Sequence, residues 1–141
     1  MDIVSKQTRS RLMSAVRQRD TKPEMVVRRM VHGMGYRYRL HVAELPGSPD
    51  LVFPRLKKVI FVHGCFWHRH RCKKATTPAT RTEFWMDKFE KNKKRDRKNV
   101  QRLRQMGWQV LVVWECQTKR TDWLREKLST FLQVEKVADN G

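Results

Sequence analysis

The sequence predicts an α/β protein in which a mixed β-sheet is flanked by helices. Three uniformly apolar runs, LVF, VIFV and QVLVVW, have the length of strands and the composition of strands that are covered on both faces. Segments with apolar residues at helical spacing surround these runs, and turn sequences such as LPGSPD separate the elements. The predicted order is therefore helix, helix, three strands, a long helix, one strand and a closing helix.

The first half of the chain begins with two predicted helices. The first covers about residues 5–19, where Met13 and Val16 lie at helical spacing among arginines. The second begins at TKPE, in which Thr21 and Glu24 have the spacing of a capping box, and the glycines of HGMG can end it. The alternating sequence YRYRL then predicts the first strand.

The second half is dominated by a long helix. It is predicted to begin at a second capping box, formed by Thr80 and Glu83, to run to about Met106 and to stop at Gly107. The QVLVVW strand and a closing helix, TDWLREKLSTFL, come next. Residues 134–141 have the composition of a frayed tail.

The charge of the chain predicts an anionic partner. A single domain over residues 1–141 carries 32 Lys and Arg against 14 Asp and Glu, a formal net charge of +18. Nucleic acid fits this excess best, and a membrane surface or a simple gain in solubility are weaker alternatives. No run of residues has the length of a membrane span or the pattern of a signal peptide, so we expect a cytoplasmic protein.

Cysteines and a histidine with metal-ligand character cluster after the VIFV run. Cys65, His70 and Cys72 lie within eight residues, and Cys116 comes two residues after the end of QVLVVW. If the two strands are parallel neighbours, Cys116 can complete a four-ligand structural Zn²⁺ site. The alternative is that the cysteines are small core residues and that His70 is exposed to solvent.

A second group of residues has the character of a hydrolytic site. Asp50 begins one predicted strand and His63 ends the next, so Asp50 can hold Mg²⁺, unless its side chain only stabilises the turn. His63 and His68 can exchange protons near neutral pH, or can simply form hydrogen bonds in a polar loop. Glu24 is a further candidate, with helix capping as its alternative role.

Aromatic and basic residues extend the case for DNA. Phe66 and Trp67 are adjacent in the loop between the predicted Zn²⁺ ligands, and Trp85 lies near the start of the long helix. Such rings can unstack base pairs, or can pack as a small core under the loop. Residues 87–104 hold nine Lys or Arg against three Asp or Glu, which suits either DNA phosphates or a solvated helix face.

One stripe of this long helix also has the residue types that read bases. Lys88, Asn92 and Asp96 are spaced four apart and therefore lie along the same side of a helix. Lys and Asn side chains can hydrogen-bond to base edges in a DNA groove. The stripe is thus a candidate contact with the bases as well as with phosphates.

These motifs together resemble the very-short-patch-repair (Vsr) DNA mismatch endonucleases. The similarity is carried by TRSRLMSAVRQRDTKPE, by the PD pair, by VIFVHGCFWHRHRC and by the segment from PATRTEFW to VVWEC. It covers most of the chain, from about Thr8 to Cys116. The combination of HGCFWHRHRC with a later VWEC is the most specific part.

The resemblance implies a restriction-endonuclease-like fold with a structural Zn²⁺ site. It implies Mg²⁺-dependent nicking of one strand, 5′ to the thymine of a T:G mismatch, which arises when 5-methylcytosine deaminates and which very short patch repair corrects. The implied partner is duplex DNA with that mismatch, and a MutL-type repair protein is a further candidate. The implied protein is a monomer that acts at the bacterial nucleoid.

The resemblance also assigns roles to individual residues. Asp50 becomes the Mg²⁺ ligand, joined by the backbone carbonyl of Val62, and His68 the acid–base group, with His63 and Glu24 assisting. The implied Zn²⁺ ligands are Cys65, His70, Cys72 and Cys116. The implied DNA contacts are Phe66, Trp67 and Trp85 beside the mismatch, Met13 and Val16 in the minor groove, and Lys88 and Asn92 at the mismatch.

One strand departs from the wider nuclease fold. Where that fold usually has an acid and a lysine, this chain has Phe61 and His63, so phosphate oxygens and water must complete the Mg²⁺ shell. Two other functions stay open from the residues. One is a restriction-type or broader mismatch endonuclease on the same fold, and the other is a Zn²⁺-stapled DNA-binding module without catalysis.

Overall fold

The computed structural model describes residues 21–65 and 82–133, which form a sheet with helices on both faces. Its elements in chain order are α1 (Lys22–Gly33), β1 (Arg39–Leu40), β2 (Leu51–Phe53), β3 (Lys58–His63), α2 (Thr82–Gln105), β4 (Gln109–Trp114), a 3₁₀ turn (Glu115–Lys119) and α3 (Thr121–Leu132). The predicted mixed α/β architecture and the order of these elements are confirmed. The predicted helix over about residues 5–19 and the tail 134–141 lie outside the described residues.

The sheet has the strand order β1-β2-β3-β4. β2 is antiparallel to both β1 and β3, whereas β3 and β4 are parallel, with Lys58 opposite Gln109 and His63 opposite Trp114. A parallel pair needs a crossover connection, and α2 lies within it. The carboxyl ends of β3 and β4 therefore meet at one edge of the sheet, where the amino end of β2 also lies.

The core consists of two apolar layers, one on each face of the sheet. α1 and α3 cover the face that includes Ile60, and α2 covers the face that includes Val59 and Phe61. The residues of β2 and β3 are almost all buried because both faces are covered, which explains the apolar runs LVF and VIFV, whereas most residues of β4 are only partly buried. The buried residues contributed by the helices are Val27, Val31, Leu103, Leu124, Leu128 and Leu132.

Helix boundaries follow the predicted signals at two places. The side chain of Thr21 accepts a hydrogen bond from the N–H of Glu24 at 3.3 Å, which caps α1. α2 ends at Gln105, and Gly107 has a φ of 92°, a left-handed conformation that costs glycine little. The second predicted capping box is only partly within the described residues, because Thr80 is outside them.

The first strand is shorter than its alternating sequence predicts. Only Arg39 and Leu40 pair with β2, and the preceding tyrosines are outside the strand. The rings of Tyr36 and Tyr38 instead pack edge-on against Phe53, with centroids 6.4 and 6.1 Å away. Burial of two aromatic rings against the core therefore outweighs further pairing at this sheet edge.

Lys58, from a loop-like stretch of the sequence, is the buried first residue of β3. Its Nζ donates to the carbonyl oxygens of Phe131 at 2.6 Å and Gln133 at 3.1 Å. These carbonyls lie at the C-terminal end of α3, where a cation also interacts favourably with the helix dipole. Lys58 thus links the first residue of β3 to the C-terminal end of α3.

Over residues 21–65 and 82–133, no helix is long and apolar enough to cross a membrane.

Gly47 anchors the loop that leads to Asp50, and its replacement should destabilise the protein. Its φ is 78°, and a Cβ there would lie 2.9 Å from Nδ2 of Asn99 on α2. We expect Gly47→Ala to lower the free energy of unfolding by roughly 2 kcal/mol or more, from backbone strain and overpacking together. Urea denaturation measures the change.

The matched control is Gly33→Ala, at the end of α1. A Cβ at Gly33 would meet nothing within 4 Å, and Gly33 has no positive φ. We expect Gly33→Ala to leave stability unchanged or to raise it by up to about 1 kcal/mol. Equal unfolding midpoints for the two variants would show that the loop does not depend on its close approach to α2.

Candidate active site

Three ionisable side chains meet where β2 begins and β3 ends. Glu24 comes from the first turn of α1, His41 directly follows β1, and Asp50 directly precedes β2. Their potential ligand atoms all lie within 4.8 Å of one another. The structure therefore brings together Asp50 and Glu24, both predicted from the sequence, and adds a histidine that was not predicted.

Asp50 is held by the neighbouring strand. Its Oδ2 accepts a hydrogen bond from the N–H of Val62 at 2.7 Å. The sequence prediction paired Asp50 with the Val62 carbonyl, and the observed contact is with the N–H of the same residue. Because the N–H and C=O of a strand residue point to the same side, that carbonyl is also on the Asp50 side of β3.

Burial changes the acidity of Asp50. The pKa of its carboxyl group is raised from 3.8 to about 7, mainly because burial desolvates the ionised form, and the adjacent Glu24 carboxylate acts in the same direction. The Val62 N–H and His41 act in the opposite direction, since each stabilises the ionised form. A metal-free Asp50 is therefore a poorly stabilised anion that gains from either a proton or a cation.

Glu24 is almost fully buried and has two partners. Its residue exposure is 1%, which would be costly for an unpaired carboxylate. His41 Nε2 lies 3.1 and 3.0 Å from the two carboxylate oxygens, and Arg28 Nη1 lies 3.5 Å from Oε2. The side chain of Glu24 is thus directed into the site, while its backbone N–H takes part in the helix cap.

His41 is the functional candidate that sequence reasoning missed. Its φ is 48°, a left-handed conformation that costs a non-glycine residue about 1–2 kcal/mol. Its backbone N–H donates to the Asp50 carbonyl at 3.2 Å, and its Nε2 lies 3.9 Å from Asp50 Oδ1. Such strain persists where surrounding contacts demand it, often at functional sites. The only sequence signal was a histidine directly after a predicted strand.

The donor set at this edge fits a hard divalent cation. Mg²⁺ prefers oxygen ligands and uses one or two protein carboxylates together with water or phosphate. Asp50 Oδ2 is engaged by Val62, the other oxygen faces His41, and a second carboxylate stands beside it. Two buried carboxylates this close repel each other, and a cation relieves that repulsion.

Two of the four predicted Zn²⁺ ligands lie side by side at the same edge of the sheet. The N–H of Cys116 donates to Cys65 Sγ at 3.4 Å, and the N–H of Cys65 donates to Glu115 Oε1 at 3.3 Å. This adjacency follows from the parallel pairing of β3 and β4, as the sequence argument required. An N–H directed at sulfur suits a thiolate ligand. His70 and Cys72 lie outside the described residues.

His63 is buried among aromatic rings at the end of β3. Its imidazole centroid is 5.4 Å from Phe61 and 5.3 Å from Trp114, and its residue exposure is 8%. These contacts fix the ring on the α2 side of the sheet. His63 is therefore part of a buried strand rather than of a polar loop, which was the alternative from the sequence. His68, the other candidate for proton transfer, is outside the described residues.

Known proteins are similar in sequence to this chain along nearly its whole length. A family model described as DNA mismatch endonuclease Vsr matches residues 1–74. The DNA mismatch endonuclease Vsr of Escherichia coli K12 is 44% identical over 140 residues, which is 99% of this chain and 90% of that protein. The chain belongs to the Vsr family. The resemblance inferred from HGCFWHRHRC and VWEC is thereby confirmed, and the four-stranded mixed sheet is consistent with an α/β nuclease fold.

Two further Vsr relatives are nicking enzymes by name. Type II nicking enzyme V.XorIIP of Xanthomonas oryzae pv. oryzae is 44% identical over 131 residues, 93% of this chain and 96% of the relative. Type II nicking enzyme V.NmeAIP of Neisseria meningitidis serogroup A is 40% identical over 137 residues, 97% of this chain and 98% of the relative. Nearly the whole chain therefore aligns with proteins named as a DNA mismatch endonuclease or as nicking enzymes.

In this Vsr-family chain, α2 presents its basic residues unevenly. The stripe of Lys88, Asn92 and Asp96 faces the protein, and Asn92 is only 5% exposed, because Phe89 and Leu103 direct this side of α2 into the core. The solvent-exposed basic residues are Lys91, Lys93, Lys94, Arg95, Arg97, Lys98, Arg102 and Arg104. The surface available for phosphates is thus adjacent to the predicted stripe rather than on it.

Aromatic residues occupy the first turns of α2. Trp85 is half-buried. Its ring stacks on that of Phe89, with centroids 5.9 Å apart, and lies edge-on to the ring of Phe84, with centroids 5.5 Å apart. Lys88 Nζ lies 5.8 Å from the Trp85 ring centroid. The other predicted DNA contacts lie outside the described residues, namely Met13, Val16, Phe66 and Trp67.

The raised pKa of Asp50 predicts a pH-dependent stability in magnesium-free buffer without chelator. Between pH 3.8 and about 7 the folded protein holds a proton that the unfolded chain has lost. The contribution of the Asp50 carboxyl group to the free energy of unfolding is therefore fully present below pH 3.8 and is lost as pH rises through about 7. Asp50→Asn keeps an acceptor for Val62 and a donor for Glu24, so it should remove this decline and be the more stable protein at pH 8.

Chemical denaturation of both proteins from pH 4 to pH 9 measures the difference. Asp122→Asn is the control, because the side chain of Asp122 is fully exposed on α3. Its pH profile should follow that of the wild type. Parallel profiles for wild type and Asp50→Asn would contradict a proton held at Asp50 in the folded state.

Proposed function

We propose that this chain nicks one strand of duplex DNA 5′ to the thymine of a T:G mismatch. Such a mismatch is left by deamination of 5-methylcytosine, and the nick would start very short patch repair. The observation that carries the proposal is the buried carboxylate of Asp50, aligned by Val62 beside Glu24 at the same edge of the sheet as Cys65 and Cys116, in a chain of the Vsr family. The site lies where the carboxyl ends of parallel strands meet, a common location for ligands in α/β sheets.

Asp50 and the carbonyl of Val62 would hold Mg²⁺. When bound, Mg²⁺ polarises the scissile phosphate and lowers the pKa of a coordinated water. The Val62 N–H keeps the Asp50 carboxylate in one orientation, so that the oxygen not engaged by Val62 can face the cation. Glu24 adds negative charge beside it without the flexibility of an exposed side chain.

Hydrolysis also requires two proton movements. The attacking water must lose a proton as its oxygen bonds to phosphorus, and the departing 3′ oxygen must gain one, which leaves 5′-phosphate and 3′-hydroxyl ends. We assign the acid–base role to His68, with His63 and Glu24 assisting. The ring contacts of His63 with Phe61 and Trp114 support a fixed orientation for such a role.

We propose that Cys65, His70, Cys72 and Cys116 hold a structural Zn²⁺. With four protein ligands the ion has no open coordination position, so its contribution is to shape the loop rather than to react. The loop between Cys65 and Cys72 contains the adjacent rings of Phe66 and Trp67. Fixing both ends of this loop would hold these rings near Asp50, since Cys65 is only two residues beyond the end of β3.

Selectivity for the mismatch would come from the ease of deforming it. A T:G wobble pair stacks less well than a matched pair, so insertion of Phe66, Trp67 and Trp85 costs least there. Met13 and Val16 would enter the minor groove. Of the two residues of α2 assigned to the mismatch, the half-buried Lys88 would contact it, whereas Asn92 is buried on the protein side of the helix. The exposed basic residues of α2 would bind phosphates, which adds affinity that falls with salt.

A nicking assay tests the metal assignment. The wild type with Mg²⁺ should nick a T:G duplex on the thymine strand and leave the matched duplex intact. Asp50→Ala should lower the nicking rate by about a thousandfold or more, since the cation loses its carboxylate, while binding of the duplex is retained. Asp122→Asn, with its fully exposed side chain on α3, should nick at the wild-type rate.

The same assay separates the other functions. Equal cleavage of matched and mismatched duplexes would indicate a restriction-type enzyme, and cleavage of many mispairs a broader mismatch endonuclease. Binding without cleavage of any duplex would indicate a DNA-binding module. Persistent nicking by Asp50→Ala would remove Asp50 from the proposed Mg²⁺ site.

Cys116→Ser tests the zinc proposal. The variant should lose bound zinc, measured by elemental analysis, and should melt at a lower temperature, because the ligand set would then be incomplete. All three cysteines of the chain belong to the proposed set, so the control is Thr130→Ser, an exposed position on α3. Zinc content and melting equal to the wild type would exclude Cys116 as a ligand.

A further inference from the structure

His41 is the residue that joins the two carboxylates of the site. We propose that His41 is a positioning residue, whose imidazole N–H holds the Glu24 carboxylate and thereby presents Asp50 to Mg²⁺. This inference rests on the proposed Mg²⁺-dependent function. It assigns a role to a residue that the sequence motifs did not indicate and that lies between α1 and β2 in space.

The carboxylate partner, rather than the distances, defines the direction of the hydrogen bond between His41 and Glu24. His41 Nε2 lies 3.1 Å from Oε1 and 3.0 Å from Oε2 of Glu24. A carboxylate can only accept hydrogen bonds, so Nε2 carries the proton and donates it between the two oxygens. The same nitrogen lies 3.9 Å from Asp50 Oδ1. His41 therefore donates to Glu24, lies at ion-pair distance from Asp50, and is not a metal ligand in this arrangement.

The main chain of His41 reinforces this position. Its N–H donates to the Asp50 carbonyl at 3.2 Å, next to the pairing of Leu40 with Leu51. His41 thus contacts Asp50 through its backbone and Glu24 through its side chain. Its left-handed φ of 48° places the imidazole between β2 and α1 while this backbone bond is kept. A change of side chain can therefore remove the Glu24 contact without removing the backbone contact.

Loss of the imidazole N–H would affect the metal site through Glu24. Arg28, one turn along α1, would remain as a partner at 3.5 Å from Oε2 of Glu24. The two carboxylates, whose oxygens lie within 4.8 Å, would then repel each other with no donor between them. Rotation of either carboxylate to escape that repulsion misplaces the oxygens that a cation needs, so Mg²⁺ should bind less tightly.

Two substitutions of His41 test its side-chain N–H donor separately from its left-handed backbone conformation. His41→Gln keeps an N–H three bonds from Cβ, as His Nε2 is, and so can still reach Glu24. His41→Asn tolerates the left-handed backbone but its amide is one bond too short for that contact. His32→Asn, at an exposed position of the same helix as Glu24, is the control.

Calorimetric titration of Mg²⁺ into the free protein is the direct measurement. His41→Asn should weaken Mg²⁺ binding roughly tenfold, the effect of one lost charge-assisted hydrogen bond, and His41→Gln should stay within about threefold of the wild type. In the nicking assay, His41→Asn should raise the Mg²⁺ concentration for half-maximal activity far more than it lowers the rate at saturating Mg²⁺. Melting temperature and zinc content of each variant report whether the fold is intact.

The outcomes distinguish this inference from the proposed function. Wild-type Mg²⁺ affinity in His41→Asn would overturn the inference even if the T:G duplex is nicked as proposed. Equal loss of affinity in His41→Asn and His41→Gln would overturn the donor role, as would a wild type that binds no Mg²⁺ in the calorimeter. A wild type that binds Mg²⁺ and nicks no duplex, with affinity weakened in His41→Asn alone, would support the inference and refute the proposed function.

Discussion

The parallel pairing of β3 with β4 is the constraint on which the rest of the site depends. Its register, from Lys58 opposite Gln109 to His63 opposite Trp114, makes both strands end at the same edge of the sheet. Two cysteines that are far apart in sequence, Cys65 and Cys116, are adjacent for that reason alone. The antiparallel β2 then begins at this edge, so its preceding residue is delivered there as well.

Burial of charge at this edge explains the arrangement of the polar side chains. Two carboxylates are taken out of water, which is costly unless each has specific partners. The carboxylate of Asp50 accepts a hydrogen bond from the N–H of Val62. The carboxylate of Glu24 contacts the side chains of His41 and Arg28. These bonds fix the carboxylates but leave Asp50 with a raised pKa, so under the proposed function the site would be organised for a cation before one binds. Organisation in advance is what a metal-dependent hydrolase requires, since the cost of ordering ligands is met by folding.

The long helix α2 combines two functions on different sides. One side contains Phe89, Asn92 and Leu103 and packs towards the sheet, as their burial shows. The remaining circumference carries exposed Lys and Arg, which account for a large part of the net charge of +18. A basic helix packed on the sheet can bind phosphates without sequence preference. It can thereby hold DNA against the edge of the sheet at which Asp50 lies. Recognition of a mismatch would then depend on the aromatic residues near the start of the helix.

The sequence by itself determined the type and order of the main described elements and some of their limits, because apolar periodicity and end signals act locally. The runs LVF, VIFV and QVLVVW predicted the strands β2, β3 and β4, and Thr21 and Gly107 marked helix ends through their own hydrogen bonds and backbone freedom. The identity of the family was also readable, because the Cys, His and aromatic residues of HGCFWHRHRC are close in the chain.

The tertiary structure alone decided which side chains from distant segments meet. His41 has no local pattern that distinguishes it, and its role arises only because β1 ends beside the first turn of α1. The same is true of Lys58, which reaches the end of α3, and of Asn92, whose stripe turned out to face the core. These contacts depend on the packing of elements that are separated in sequence, and no periodicity or spacing within one segment encodes them.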